Sequence, residues 1–600
     1  MQTRFLLAVL CIYPFAVFGQ NSPQIPITNA DYTATDAIGR KLPDYTQTGD
    51  LKPNKYVGLF YWLWHGKIRN TASNPDSINV TKILSVNPEK TKWKMEDFYW
   101  DEPTYGFYRS LDPWVIKKHM ALIAAAGVDF IFLDLTNAEI YEPELKQLLE
   151  IIQNMRKKGI NAPYVVPFLN FEYGWKIEKL YKEFYKPGTY DDVWFKWDGK
   201  PLMMSARFKP GMLKDSTLMT EITDYFMWRP TWALFDDDRG PGGKWRFMDT
   251  HPQRPALDAS GKVEQYVVAK SLGAPLWNYK GKGSSCGLHF DPVLDKYWLA
   301  KETGTGIFFN EQWNRADSVN APVLLVTGWN ELKAGAWPTN KDLAGAKDFA
   351  FQGRKMHLGD MYFVDEFNRE FNRDIEPIKD SYTDNFYYQF VSRMRKYKGM
   401  LPPQTISSPA TMTINGDFSD WNKVTPVYKN FTVDINDRDF NSILPGLHYT
   451  NKTGRNHIIE TRTTHDAKYA YFYVKTEQTL SPCTDKNWML LFIDADNNKK
   501  TGWEGYDYLI NSQVNNSTAT TIKKWNGTDW KTLQNISYAV KDNQMEIKVP
   551  LSAIKQDKHV SYNFHWADNI QKLNDINEFF VNGNCVPERR FDYHYSDKGL

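Results

Sequence analysis

Carboxyl and amide side chains recur in this sequence at one kind of position, directly after a short apolar run. Trp64 ends YVGLFYWLW (Tyr56–Trp64) and His65 follows it, Asp134, Thr136 and Asn137 follow Val128–Leu133, and Asn170 and Glu172 follow YVVPFL (Tyr164–Leu169). Further along, Trp329, Asn330 and Glu331 follow VLLVTG, and Asp365 and Glu366 follow MYFV. If these runs are strands of one sheet, their trailing side chains converge at one edge. Two carboxyl groups there could cleave a glycosidic bond, one protonating the leaving oxygen and the other acting as nucleophile or as base for water, at separations of about 5 to 9.5 Å. Glu331 is the first choice for proton donor, because an apolar strand and Trp329 would raise a carboxyl pKa by desolvation. Asp134, Glu172 and Glu366 are its candidate partners, and spacing alone does not rank them. Trp64, Trp329 and Trp337 could stack on sugar rings, and His65, Asn137, Asn170 and Asn330 could hydrogen-bond to sugar hydroxyls. Each has a structural reading beside this one. Asp134 could cap a loop, the tryptophans could line a rim, and Glu366 could join Arg369, Glu370, Arg373 and Asp374 in an ion-pair network. Asp236, Asp237 and Asp238 read as a solvated loop.

Bringing such residues together takes a repeated unit. From Tyr56 to about Gly399, β-rich runs alternate with helical patterns, the signature of βα units and a parallel sheet. Asp112 is placed to N-cap a helix with Pro113 in its first turn and Gly127 at its end, and Glu142–Lys158 reads as a second helix stopped by Gly159. Later strands over Leu202–Ser205, Thr231–Phe235, Gln265–Ala269, Val323–Thr327 and Met361–Val364 bring the number to eight. The expected fold class is therefore α/β, a (β/α)8 TIM barrel with its site at the carboxyl ends of the strands. A doubly wound open sheet is the competing architecture, but no Gly-rich phosphate loop follows the first strand. Leu401–Ala410 (LPPQTISSPA) reads as a linker. Beyond it, Tyr469–Thr476, Trp488–Ile493, Gln544–Val549 and Ser561–Trp566 are strands bounded by Asn, Asp and Gly, which predicts an all-β sandwich. The expected organisation is a signal peptide over 1–19, an extension over 20–55, the barrel over 56–400, the linker over 401–410 and the sandwich over 411–600.

Composition narrows the class. The 73 basic and 71 acidic residues nearly cancel, and no basic stripe is visible, so no nucleic-acid partner is expected. Arg4, the apolar run Phe5–Phe18 and the polar segment after it have the shape of a cleaved secretory signal, too short to span a bilayer. A secreted or periplasmic protein with no membrane span is expected. A lipid anchor on Cys11 is disfavoured, because Leu10 precedes it and the apolar run continues past it. Of the cysteines left after cleavage, Cys483 and Cys585 fall in the same C-terminal region and could pair in an oxidising compartment. No HExxH, zinc-spaced cysteine pair or GxSxG elbow occurs, so no metal and no required cofactor is expected at the site. The aromatic content, 22 Trp, 34 Tyr and 35 Phe, suits flat sugar faces as well as large cores.

The segments PVLLVTGWNELKAG (Pro322–Gly335) and FVDEFNREFNRDIEP (Phe363–Pro377) resemble the strand-end Asn-Glu-Trp region and trailing Ile-Glu-Pro of barrels related to glycoside hydrolase families 99 and 71. The resemblance covers most of Tyr56–Gly399 and implies carboxylate-dependent cleavage of a glycan. Only Glu331 carries over by position: Ala334 stands where family 99 has its second catalytic glutamate, and Leu332 replaces the motif's Trp. INGDFSDW (Ile414–Trp421), DAKYAYFYVKTEQ (Asp466–Gln478) and LLFIDADNNKKTGWEGYDYLIN (Leu490–Asn511) resemble family 9 carbohydrate-binding modules. In that region Asp494, Asp496 and Asn498 alternate so that they could offer oxygens to a structural calcium, and Trp488, Trp503 and Trp566 could form a sugar platform or a core. The leading expectation is a carbohydrate partner and glycoside hydrolysis. The runner-up is a glycan-binding protein that keeps the barrel as a scaffold, and a third possibility, an enzyme for acidic sugars, would draw on Lys67, Arg69 or Arg207.

Overall fold

The computed structural model describes residues 27, 29–66, 74–86, 93–170, 172–231, 243–249, 252–272, 288–291, 296–299, 303–338, 358, 361–363, 366–379, 384–432 and 437–598. The leader 1–19 with Cys11, and Lys67, Arg69, Asp236 to Asp238, Cys286 and Asp365, lie outside the described residues.

The N-terminal half is mixed α/β. Its central sheet runs in the order Tyr164–Phe168, Phe130–Asp134, Tyr56–Tyr61, Val323–Thr327, Val263–Ala269, with every neighbour parallel, and ends on the short antiparallel strand Ala256–Leu257. These strands are nearly continuous apolar runs because both faces are covered. On one face Phe60, Phe132, Phe168, Leu325 and Phe247 share a core, with Phe60 stacked on Phe132 at 4.6 Å and edge-on to Phe168 at 5.2 Å. On the other face Val57, Leu59, Ile131, Leu324 and Val326 join the larger core that contains the helices. Gly58 makes room between the strands, since a Cβ there would lie 2.3 Å from the Phe130 ring.

The sheet continues past its regular part. Phe168 bridges in parallel to Met204, Lys200–Met203 runs parallel to Met227–Trp228, the Trp245 N–H donates to the Pro230 carbonyl at 2.7 Å, and the Arg246 N–H donates to Gln265 Oε1 at 3.0 Å. The helices start and stop where their caps dictate. Pro113–Ala125 begins at Asp112, which accepts from the Trp114 and Val115 N–H groups, and Glu142–Lys157 is followed by Gly159 at φ 83°. Residues 232–235 of the strand expected at Thr231–Phe235 lie outside the described residues, and a short strand precedes them at Met227–Trp228. One expected strand is corrected. Met361–Phe363 is no parallel strand of the sheet: it pairs antiparallel with Lys333–Pro338, which itself pairs antiparallel with Asp97–Tyr99. Alternating aromatic and apolar residues satisfy either setting, and only pairing partners distinguish them.

Residues 401–414 carry no regular secondary structure. Among the described residues the C-terminal half supplies eleven strands of a twelve-stranded antiparallel sheet that curls until its two ends pack face to face, beside a separate hairpin of Arg438–Asn441 and His448–Asn451. Trp566 Nε1 donates to Thr461 Oγ1 at 3.0 Å and the hydroxyls of Thr463 and Tyr562 lie 2.6 Å apart, although many strands separate these partners along the sheet. Trp488, Trp503 and Trp566 are buried core residues, not a sugar platform. Cys483 and Cys585 are free thiols that pack in separate apolar clusters, so the expected pairing does not form. The N-terminal extension belongs to this sheet, because Tyr32–Ala34 pairs antiparallel with Phe591–Tyr593. Charged contacts join the halves further: Arg438 Nε meets Asp112 Oδ2 at 2.8 Å, and Arg590 reaches Asp384 at 2.6 Å and Glu504 at 2.9 Å. Among the described residues no helix is long and apolar enough to cross a membrane.

Candidate active site

The chain leaves the Val323–Thr327 strand through Gly328, where a Cβ would strike the Trp62 ring at 2.3 Å. The next residues are fixed by one buried carboxylate. Asp374, 1 % exposed, accepts from the Glu331 N–H at 2.6 Å, the Leu332 N–H at 2.7 Å and Trp100 Nε1 at 2.7 Å. Burial raises its pKa and these donors oppose the rise. Asn330 turns its amide onto the first strand, accepting from the Trp62 N–H at 2.9 Å and donating to the Trp62 carbonyl at 3.2 Å. His65 Nε2 lies 2.7 Å from the Asn330 carbonyl and Nδ1 lies 3.1 Å from the Tyr99 hydroxyl. Burial pushes its pKa down to about 3, so the imidazole is neutral and donates to that carbonyl. Trp329 is fully buried between His119 and Tyr387. Asn330, His65 and Trp329 therefore stand in the frame behind the strand ends, not on the surface where sugar binding would need them.

Glu331 is brought together with Glu366, but around a cation. Glu331 Oε2 accepts from Arg373 Nε at 3.0 Å and from Arg373 Nη2, and Glu366 Oε1 lies 3.8 Å from the same Nε and accepts from the Arg373 N–H at 2.8 Å. The side chains of Glu331, Arg373 and Glu366 are 3 %, 5 % and 0 % exposed. A carboxylate held this way is an acceptor, so the expectation that Glu331 donates the proton meets an opposing geometry. Burial, followed by the nearby charges of Asp374 and Glu331, pushes the pKa of Glu366 well up, and its Oε2 has no hydrogen-bond partner.

The remaining strand-end residues are apart from this pair. Asp134 is buried, accepts from the Thr136 N–H and hydroxyl at 3.0 and 2.7 Å, and is raised in pKa by burial. Beside it Lys176 donates to the Leu135 and Asn137 carbonyls at 2.7 and 2.5 Å, and burial lowers its pKa to about 8. Asn170 and Glu172 are exposed, Glu172 at the left-handed φ of 46° that starts the Tyr173–Leu180 helix. Arg207 is exposed.

An open groove of about 1000 Å³ lies at the same strand ends. Residues 137–144, with Asn137 and Tyr141, form one wall; the ribbon of Asp97 with Lys333, Gly335 and Trp337 forms another; Leu63, Trp64 and Gly66 lie between them. Trp175 is 43 % exposed at its edge. Trp64 is shared with the buried cluster, since its Nε1 donates to the Glu331 carbonyl at 3.2 Å while Lys333 Nζ sits 5.3 Å above its ring. Four carboxyls line the walls. Glu139 and Glu142 are exposed, and Glu142 lies 2.6 Å from Lys179 Nζ. Asp97 is buried and lies 3.5 Å from Lys333 Nζ; Glu144 is half-buried, and burial raises its pKa. Glu331, Glu366, Asp134 and Glu172 are not among the groove's lining residues. Asp97, Tyr141, Glu144 and Trp175 escape a reading of the sequence because they lie beyond the first polar residues after each strand. The usable signal is the aromatic and acidic content of the first turns of the following helices.

Of the residues expected to hold calcium, Asp494 and Asp496 gather with Asp507, their ligand oxygens within 4.8 Å of one another. Asn498 instead directs its backbone N–H at Asp494 and Asp496, at 3.3 and 3.0 Å.

No family model and no curated protein matches the chain. Among solved structures it is distantly similar to a GH99 endo-alpha-mannosidase from Bacteroides thetaiotaomicron. In complex with bis-tris-propane that enzyme aligns at 14 % identity, over 57 % of this chain and 98 % of its own, with a TM-score of 0.29. A second structure of it aligns at 12 % identity over the same shares, with a TM-score of 0.32. Scores this low leave the functional reading to the residues of the site.

Arg373→Met strands a buried carboxylate and is expected to lower stability by about 3 to 5 kcal/mol in urea unfolding, with much of it regained in Glu331→Gln/Arg373→Met; equal losses in both would contradict the ion pair. The pH dependence has two limbs. Glu366 has a folded pKa above its unfolded value of about 4.3, so its contribution is complete below that value and is lost as pH rises through the folded one. His65 has a folded pKa of about 3 below its unfolded value of about 6.5, so its contribution is complete above the latter and is lost as pH falls toward the former. Melting temperatures across pH should lose the alkaline slope in Glu366→Gln and the acid slope in His65→Asn, and a variant that keeps the parent's slope refutes its assignment.

Proposed function

We propose that this protein is a carbohydrate-active enzyme of glycoside hydrolase build that takes a glycan into the aromatic groove and hydrolyses it there. The observation that carries this reading is the groove itself. It is large, open and flanked by Trp64, Tyr141, Trp175 and Trp337, rings with an apolar face and a polar edge that suit the alternating faces of a sugar chain. Its place at the carboxyl ends of parallel strands is where such folds put their chemistry. In this reading the hydrogen bonds that continue the sheet through Met203, Trp228 and Trp245 close it as a (β/α)8 barrel, and the curled C-terminal sheet is a sandwich of the carbohydrate-binding-module kind.

Paired-carboxylate cleavage needs one protonated and one ionised group. Glu144, whose pKa burial raises, fits the proton donor, and Asp97, beside the Lys333 ammonium, fits the base or nucleophile. Glu331 then positions the wall through the bond its carbonyl accepts from Trp64, Glu366 supports it through Arg373, and neither touches substrate. The second reading, a glycan-binding protein without catalysis, is favoured by the burial of Glu331 and Glu366 behind that wall. The apolar run Phe5–Phe18 and the polar segment after it support export in either reading, and intact mass of the exported form should show a chain beginning near Gln20.

A product screen on the mature protein with a broad oligosaccharide panel decides between the readings. Glu144→Gln should lose about 10²- to 10⁴-fold in cleavage rate with binding retained, and Trp175→Ala should weaken binding by roughly tenfold, the worth of one stacked ring. Binding without products in the parent selects the second reading, and neither binding nor products rejects both.

A further inference from the structure

A cavity of about 420 Å³ lies at the seam of the two halves and shares no lining residue with the groove. Its walls come from the N-terminal segment around Tyr32–Lys41, from Pro403–Ile406 after the last helix of the N-terminal half, and from the C-terminal sheet and its loops. The size falls within the range of small-molecule sites, about 300 to 1000 Å³. From the geometry we propose that this cavity binds a neutral polyhydroxylated molecule of mono- or disaccharide size, at a site separate from the groove.

Three features of the lining point to that class. Its charges nearly cancel: Asp31, Asp44, Asp494, Glu504 and Asp592 face Lys41, Arg395, Lys499 and Arg590, so neither a strongly anionic nor a strongly cationic ligand is matched. Its polar groups form an oriented chain rich in acceptors. Asn563 donates to Asp494 Oδ2 at 3.3 Å, which turns its Oδ1 to His594 Nδ1 at 2.8 Å. His594 must then carry its proton on Nδ1, which leaves Nε2 as an acceptor. Asp592 holds the Tyr506 hydroxyl at 2.6 Å through one oxygen, and Asn497 Oδ1 is buried without a partner. Arg395 Nε is a buried donor of the same lining without a partner, so the cavity calls for a ligand whose groups both donate and accept, as hydroxyls do. Finally Tyr32, Leu42, Ile406 and Tyr506 supply apolar surface between the polar groups, as the carbon faces of a sugar ring require. Asp31, Asp494, Asn563 and Arg590 are each less than 9 % exposed, so the polar lining is interior to the fold. The proposal does not rest on the function proposed for the groove.

The test uses the full mature chain with groove binding weakened by Trp175→Ala, and D-glucose, D-mannose, D-xylose, maltose and cellobiose as probes, read by saturation-transfer NMR and calorimetry. Saturable one-to-one binding is expected to persist in Trp175→Ala, to weaken at least tenfold when His594→Leu removes the acceptor, and to vanish when Thr33→Trp fills the cavity. Melting temperatures of both variants identify loss of fold, and if Thr33→Trp does not fold, His594→Leu alone decides. No binding to Trp175→Ala by any probe, or binding unchanged by either cavity variant, overturns the proposal. Binding of spermidine in place of the sugars overturns the ligand class.

Discussion

The site depends on Asp374. A single carboxylate with 1 % exposure receives two successive backbone N–H groups and an indole N–H, and so fixes a turn that holds Leu332 at a left-handed φ of 56°. The segment that carries Asp374 runs beside that turn, with Ile375 and Glu376 donating their N–H groups to the Gly328 and Trp329 carbonyls at 3.1 and 3.0 Å. Everything downstream inherits this placement. The ribbon Lys333–Pro338 leaves the turn in one direction only, and it becomes the groove wall that presents Lys333 and Trp337. Removing the clamp would free two buried N–H groups and an indole donor together, which is the costly case for a buried polar cluster.

Burial then sorts the carboxyl groups by role. Those nearest the clamp are paired, desolvated or hydrogen-bonded inward: Glu331 with Arg373, Glu366 raised in pKa by burial, and Glu376 with the Tyr108 hydroxyl and His119 at 2.7 and 3.0 Å. Among the carboxyls that line the groove, Asp97 is buried beside the Lys333 ammonium, and Glu144 is half-buried and raised in pKa by that burial. The same logic reaches the seam, where Arg590 binds Asp384 of one half and Glu504 of the other beside the cavity between them.

Much of this is legible in the sequence, and the exceptions have physical causes. The runs YVGLFY, FIFLD, YVVPF and VLLVT announce buried parallel strands, and Asp112-Pro113 and Gly159 mark helix ends where the structure has them. Met361–Phe363 misleads because an apolar run states that a strand is buried and not which neighbour it pairs with. The position of Glu331 after its strand is legible, but its environment is not, because Arg373 lies 42 residues away in sequence and the pairing is tertiary. Trp329 and Asn330 point the same way: strand-end position gathers residues near a site, and side-chain direction decides which of them face it. Tyr32–Ala34 reads as an extension because nothing local reveals that its partner is Phe591–Tyr593.

In the proposed function, glycan is held on the tryptophans of the groove, with the Asp374-centred cluster behind the wall that carries Trp64. The most direct measurement is a crystal structure of the mature protein soaked with a hydrolysis-resistant thio-oligosaccharide. Sugar rings stacked on Trp175 and Trp337, with the reacting linkage between Asp97 and Glu144, are the predicted result. An empty groove with sugar bound beside Glu331 and Glu366, the cluster opened to admit it, would contradict the account.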